Sequence, residues 1–219
     1  MRLSYASPVI PWTIDPAVRT AVQVGVVEAG RVGLEGDPPG LAEEIDALCG
    51  RLSAQHAGRY PSEIEGLAPA RRLYRGFGID PTSTRPSSEA LLRRILQGKP
   101  FPRINPAVDV CNLCSASFLL PIGLYDAAAI RGPVTLRRGA SGESYTGIRK
   151  DVVHLAGRPV LADAEGAFGN PTSDSSRTSV SSATTALWMV IFAPPDYPPA
   201  VLESHVDFAG VRIDRYLVA

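Results

Sequence analysis

Residues 104–126 read INPAVDVCNLCSASFLLPIGLYD, and the fold of the chain turns on how this stretch is read. It opens on an Asn-Pro turn at Asn105-Pro106 and places two polar residues, Asp109 and Asn112, inside an apolar run. It closes on Pro121-Ile122-Gly123-Leu124-Tyr125-Asp126. A polar group buried without a partner costs about 1–3 kcal/mol, so Asp109 and Asn112 either tie backbone together or face a pocket. The apolar spacing over residues 108–120 predicts a helix, on which these two residues, three apart, share a face. Residues 124–126 then lead into a helical turn.

Working outward toward the C-terminus, residues 133–137 read as a strand and 139–147 as a Gly- and Ser-rich loop. Residues 152–155 and 159–163 read as strands paired across Ala156-Gly157-Arg158. The run 164–182, AEGAFGNPTSDSSRTSVSS, is the most polar of the chain. It is either plain linker or, since it lies between two strands, a long internal loop of the kind that often carries function. Residues 183–192 are an apolar strand closing the core, 193–199 a proline-rich surface segment, 200–210 a short helix and 211–218 a last strand. Toward the N-terminus, Ser87 is expected to cap a helix over 88–97, with Leu91, Leu92, Ile95 and Leu96 on its apolar face. Residues 69–76 are expected to be a connector, with a short helix opening at Pro61-Ser62-Glu63. A longer helix over 41–57 follows from Leu41, Ile45, Leu48 and Leu52 at helical spacing, with Glu43 and Glu44 in its first turn. Before it come a loop at 33–40 and a buried strand at 20–27, entered through a turn at 14–19.

The ordered set Val108-Asp109-Val110-Cys111-Asn112, then 121–126, then Gly132-Pro133-Val134-Thr135-Leu136-Arg137, then Gly142-Glu143 resembles the B3/B4 module. That module is the editing domain in the β subunit of phenylalanyl-tRNA synthetase, where the line runs VDxxN, P…D, G.I..R.A..GE. Val160-Leu161-Ala162-Asp163 followed by Gly166-Ala167-Phe168-Gly169 looks like its next strand and glycine-rich loop. The segment 86–96, PSSEALLRRIL, is similar to one found in free-standing relatives. The resemblance covers residues 81–190. It implies an α/β (α+β) protein with a three-layer B3/B4-like fold, a mixed, sandwich-like sheet flanked by helices. The chain is then expected to be one domain, with 1–75 an N-terminal strand-helix extension packed on a core of 76–219.

The resemblance also implies a chemistry: hydrolysis of a mischarged aminoacyl-tRNA in trans, by attack of water on the aminoacyl ester. An ester so activated needs a positioned water, a held carbonyl and exclusion of the wrong substrate. Asp174 is the candidate for orienting or deprotonating that water. Thr172 and Ser173 would hold the substrate's amino or hydroxyl groups beside Asn112, with Gly123, Gly169 and Asn170 bordering the pocket. Glycine at 169 permits close backbone approach to a ligand. Read without the resemblance, Thr172, Ser173 and Asp174 cap a turn. Two departures stand out. Gly123 falls where bacterial synthetase modules carry a pocket histidine, and their Gly-Gly-Glu is here Gly169-Asn170-Pro171. A tyrosine-selective pocket is therefore not expected; either the specificity has changed or hydrolysis has been lost. The alternative function is a non-catalytic binding module for tRNA or an amino acid-like small molecule.

Composition bounds these readings. The 219 residues are 45% hydrophobic and 20% charged, as in a globular protein, with 20 glycines and 20 prolines that favour turns and short elements. No apolar run approaches the ~20 residues of a membrane span. Pro8 and Pro11 interrupt any secretory apolar region, so a cytoplasmic location with no membrane partner is expected. Cys49, Cys111 and Cys114 form no disulfide framework. Cys111-x-x-Cys114 in an apolar context reads as core thiols, since His56, His154 and His205 are scattered and complete no zinc set. No metal or cofactor is expected. GxSxG, Walker A, HExxH and GxGxxG patterns are absent, and Arg75-Gly76-Phe77-Gly78 is no dinucleotide loop.

Net charge is zero but unevenly spread. Residues 1–66 carry nine acids against five bases, whereas 71–103 carry eight bases against Asp80 and Glu89. The basic segment is either a solvated face or a polyanion footprint, with Arg71, Arg72, Arg75, Arg93, Arg94 and Arg103 as candidate tRNA contacts. A net charge of zero argues against wholesale nucleic-acid coating, and no DNA partner is expected.

Overall fold

The structure, a computed structural model, describes residues 9–149 and 151–218; the reading of the first eight residues lies outside them. The elements in chain order are β1 (Trp12–Ile14), β2 (Gln23–Gly30), α1 (Leu41–Gln55), α2 (Ala68–Gly76), α3 (Ser87–Leu96), α4 (Pro106–Phe118), β3 (Ile122–Asp126), β4 (Val134–Arg138), β5 (Ser144–Thr146), β6 (Val152–His154), β7 (Pro159–Asp163), β8 (Gly166–Gly169), β9 (Ala186–Ala193) and α5 (Pro199–Tyr216). They build three layers. One sheet has the order β1-β4-β7-β8 and is mixed, since β1 runs parallel to β4 and the remaining pairs are antiparallel. A second, antiparallel sheet has the order β2-β9-β3. Helices α4 and α5 pack on its far face, and α1 and α3 pack on α4. The fold is thus a mixed α/β sandwich flanked by helices, as the resemblance implied.

The central strand β9 shows why. Successive side chains of a strand point to opposite faces. Leu187, Met189, Ile191 and Ala193 enter the core shared with the helices, while Trp188, Val190 and Phe192 enter the core between the sheets with Val134, Leu136, Leu161 and Phe168. Both faces are covered, so the strand is apolar throughout. Residues before position 76 supply one strand to each sheet, β1 and β2, and so are part of the sandwich as well as of the layer over it.

Helix α4 starts as its sequence directs. The Asn105 side chain accepts from the Val108 amide at 3.0 Å, and Pro106 occupies the first turn. Asp109 is a backbone tie: it accepts from the Ile104 amide at 2.8 Å and from Arg103 Nε at 2.7 Å, and Arg103 also reaches Asp37 at 2.6 Å. Leu119 ends the helix in the left-handed region at φ 56. Chain then passes through Pro121 into β3, the edge strand of the second sheet.

Several expectations are corrected. Residues 211–218 are not a strand: Leu202, Ala209, Ile213 and Tyr216 are buried at helical intervals, and α5 runs unbroken to Tyr216. The expected connector 69–76 is helix α2, which buries Ala70, Leu73 and Tyr74 and leaves its arginines outside. The strands at 152–155 and 159–163 do not pair with each other. Instead β6 pairs with β5, a strand inside the expected 139–147 loop, and β7 lies between β4 and β8. The 156–158 turn hands the chain from this ribbon to the sheet, because the end of β4 at Gly139 lies against Leu155. The first long strand begins at Gln23 rather than Thr20, since Val18 and Val22 anchor a turn in the inter-sheet core. Ser87 sits inside α3, whose cap position is Pro86. Gly166–Gly169 is strand β8. Among the described residues no helix is long and apolar enough to cross a membrane.

Candidate functional site

The polar loop after β8 is held by side chains from three distant parts of the chain. Asn170, 2% exposed, folds the loop on itself: its Oδ1 accepts from the Thr172 amide at 2.7 Å, the Thr172 hydroxyl at 2.6 Å and the Ser173 amide at 3.1 Å. Its Nδ2 donates to the Tyr145 hydroxyl at 2.8 Å, and that hydroxyl donates to the Ser173 carbonyl. The Tyr74 hydroxyl, from α2, donates to the Pro171 carbonyl at 2.6 Å. The Tyr125 hydroxyl, from β3, donates to Asp174 Oδ1 at 2.6 Å. Arg158 reaches the Thr172 hydroxyl at 3.2 Å.

Asp174 is the chemical centre of this arrangement. As a residue it is only half-buried, yet its carboxyl is enclosed by protein. Burial pushes the group up from 3.8 to about 7, while hydrogen bonds from Tyr125 and from the backbone of Leu124 and Asn170 act in the opposite direction. Burial first, and then the Asp174 charge, raise the hydroxyls of Tyr74, Tyr125 and Tyr145, which therefore stay protonated donors near neutrality. A carboxyl that titrates near neutral pH beside fixed hydroxyl donors is able to take up or release a proton under physiological conditions.

Gly123 and Gly169 flank the Tyr125 ring. A Cβ on Gly123 would lie 2.1 Å from the Tyr125 hydroxyl oxygen, and one on Gly169 would lie 2.2 Å from it. The close approach permitted by Gly169 is thus taken by the protein's own tyrosine, which is fully buried. Thr172 is half-buried and Ser173 exposed on the same loop. Asn112 is half-buried on α4 and, among the described residues, makes no side-chain hydrogen bond. Its neighbour Cys111 is the α4 group within electrostatic reach of Asp174; burial, then Cys114 and Asp174, raise that thiol. Cys111 and Cys114 are buried in the helical core. Among the described residues no cluster of three or more His, Cys, Asp or Glu is placed to hold a metal ion.

The structure brings Asn170, Thr172, Ser173 and Asp174 together, with Gly123 and Gly169 beneath. Sequence reasoning missed Tyr74, Tyr145 and Arg158, and gave Tyr125 no role. These partners lie 97, 28, 14 and 49 residues from the atoms they hold, and no local pattern marks them.

The candidate tRNA contacts lie apart from this loop. Arg71 and Arg93 donate through Nε to the buried Glu89 at 2.8 and 2.9 Å, and Arg72 pairs with Asp196 at 3.1 Å. Arg94 bonds the Pro100 carbonyl at 3.0 Å, Arg75 is exposed, and Arg103 serves the start of α4.

Compared with known proteins, residues 69–196, more than half of the chain, match the family described as the B3/4 domain. The fold is similar to the crystal structure of an N-terminal fragment of the phenylalanyl-tRNA synthetase beta-subunit from Pyrococcus horikoshii. The TM-score is 0.50 at 12% identity, covering 95% of this chain and 49% of that one, so the chain spans about half the fragment's length. No curated protein matches the chain.

Proposed function

This chain belongs to the B3/4 domain family, and from that premise we propose that it acts on aminoacyl-tRNA, hydrolysing a mischarged aminoacyl ester in trans. The carrying observation is the enclosed Asp174 carboxyl, raised to about 7 and mounted on a loop that three tyrosines hold in place. In its ionised form Asp174 takes a proton from water as that water attacks the ester carbonyl, a role general bases fill best when their pKa lies near the working pH. The half-buried Thr172 hydroxyl, Arg158 beside it and the exposed Ser173 are the groups offered to the substrate's amino, hydroxyl and carbonyl functions. Asn170 keeps the loop in shape. Asn112, Gly123 and Gly169 are proposed contacts for an acyl side chain. The arginines of α2 and α3, with Arg103, would meet the phosphates of the tRNA acceptor end. The reading needs neither cofactor nor membrane and fits a cytoplasmic setting.

A second reading is favoured by one observation. The Tyr125 ring occupies the slot between Gly123 and Gly169, so a side chain could enter there only if the ring left. A protein that keeps this slot closed would be a non-catalytic module binding tRNA or an amino acid-like molecule.

Incubation of the protein with a panel of mischarged tRNAs separates the two. Amino acid release that Asp174→Ala abolishes supports hydrolysis; saturable binding with no release at any pH from 6 to 9 rejects it in favour of the module.

A further inference from the structure

The arginines of α2 and α3 do not form an even coat. Three of them, Arg71, Arg75 and Arg93, together with Arg85 from the turn before α3, line one hollow of about 370 Å³ between these helices and the turn at Tyr60. A single carboxylate, Glu89, also lines it, and its side chain is only 3% exposed. Arg71 and Arg93 approach Glu89 through Nε at 2.8 and 2.9 Å, and Arg85 stands 3.9 Å away. Burial alone would raise this carboxyl, but the hydrogen bonds and charges of Arg71 and Arg93 hold it below its ordinary value.

Charge and hydrogen-bond supply are both unbalanced here. Among the lining residues one carboxylate faces four guanidinium groups, and with Asp80, which stands within electrostatic reach of Arg75 just outside the lining, the concave site still has an excess of two positive charges. Because Glu89 engages its partners through Nε, the terminal nitrogens of Arg93 and Arg85 have no hydrogen-bond partner among the described residues. Arg75 has none at all, and Arg71 uses one terminal nitrogen on the Pro61 carbonyl at 3.3 Å. Like charges gathered this way repel, and a planar fork of N–H donors matches an oxyanion with two or more oxygens. At the rim stands Tyr60, a large aromatic side chain left 72% exposed. Exposed rings beside basic grooves serve as platforms on which unpaired bases stack.

We propose that this hollow is a binding site for a nucleoside phosphate, with the phosphate among the four arginines and its base against Tyr60. The inference rests on the polyanion part of the functional reading and is independent of hydrolysis at Asp174. The shared chemistry has two sources, a free nucleotide or the phosphodiester of an unpaired RNA strand.

Titration calorimetry with AMP, adenosine and inorganic phosphate, and anisotropy with a labelled single-stranded RNA, test it on the full chain. AMP is expected to bind at least tenfold more tightly than adenosine. Arg75→Ala/Arg85→Ala, which spares the two arginines that hold Glu89, is expected to weaken AMP tenfold or more. Tyr60→Ala should weaken AMP but leave inorganic phosphate unchanged. Matching losses with the RNA identify a strand as the source, and AMP binding without RNA binding identifies a free nucleotide. Equal affinity for AMP and adenosine, or AMP affinity unaltered in the folded arginine variant, overturns the proposal. A protein that binds AMP through these arginines but releases no amino acid refutes the hydrolytic reading alone. Release by a protein whose AMP affinity ignores the arginines refutes this inference alone.

Discussion

Replacing Asp174 with Asn should change how stability depends on pH, and in a stated direction. The folded carboxyl sits at about 7 against an ordinary 3.8, so between roughly pH 4 and 7 the folded chain holds a proton that the unfolded chain has released. Stability from this group is therefore complete below about pH 4 and is lost as pH rises through 7. Each pKa unit corresponds to about 1.4 kcal/mol, so about three units set an upper bound of about 4 kcal/mol; relaxation of the loop reduces that to about 2–3 kcal/mol. Other shifted groups also contribute to the pH dependence. Glu28 is raised by burial despite its bonds to Ile10 and Trp188 and acts in the same sense. Glu44, Glu89 and Glu143 are lowered and lose stability on acidification instead, as do the buried-side histidines His56 and His205. Comparing the native chain with Asp174→Asn cancels all of these, because the amide cannot ionise. Urea unfolding at pH 4.5 to 8, with the m-value checked for constancy, should show the native chain losing about 2–3 kcal/mol relative to the variant across that interval. Tyr125→Phe provides the complementary arm: its hydroxyl lowers the Asp174 pKa, so removing it should move the transition to higher pH. Parallel pH profiles for the native chain and Asp174→Asn would refute the enclosed-carboxyl argument.

The remaining expectations concern packing, ion pairing and salt. Gly169→Ala places a methyl group 2.2 Å from the buried Tyr125 hydroxyl and should cost about 1–3 kcal/mol in urea unfolding, with part of the loss recovered when Tyr125→Leu is added. Arg177 grips the fully buried Asp163 side chain with two nitrogens at 2.9 and 3.1 Å. Arg177→Ala should therefore cost about 3 kcal/mol in the same assay, and Lys should not restore it, since it lacks the two-pronged geometry. If RNA phosphates are held by the arginines, the logarithm of RNA affinity should fall with the logarithm of salt by about 0.7 per phosphate contacted. A flat titration between low and physiological salt would leave those arginines as a solvated face.

What was legible in the sequence is local. Helix α4 announces itself through Asn105, Pro106 and an apolar period, and β9 through eight continuous apolar residues; both signals are carried within the element. The errors lie where a local pattern admits two periods. Val211 and Ile213 alternate with Arg212 and Asp214 well enough for a strand, and only the burial of Leu202 and Ala209 on one face with Ile213 and Tyr216 shows a helix. The 139–147 segment looked like a loop because β5 is three residues long and gains its order from β6, not from its own propensity.

The site was legible only in part for a related reason. The segment 164–182 has too little apolar surface to order itself by burial, and composition alone would make it a tether. It is ordered by polar bonds instead: Asn170 satisfies three donors, Tyr74 and Tyr145 each satisfy a loop carbonyl, and Tyr125 meets Asp174. Hydrogen bonds of this kind gain strength in a low-dielectric surround and are costly when left incomplete, so the loop's order depends on partners far away in the chain. Glycine at 123 and 169 belongs to the same arrangement, since any larger residue would drive the Tyr125 ring out and take the Asp174 bond with it. The same packing that holds the loop thus sets the carboxyl's proton affinity, and a change at either glycine should disturb fold and titration together.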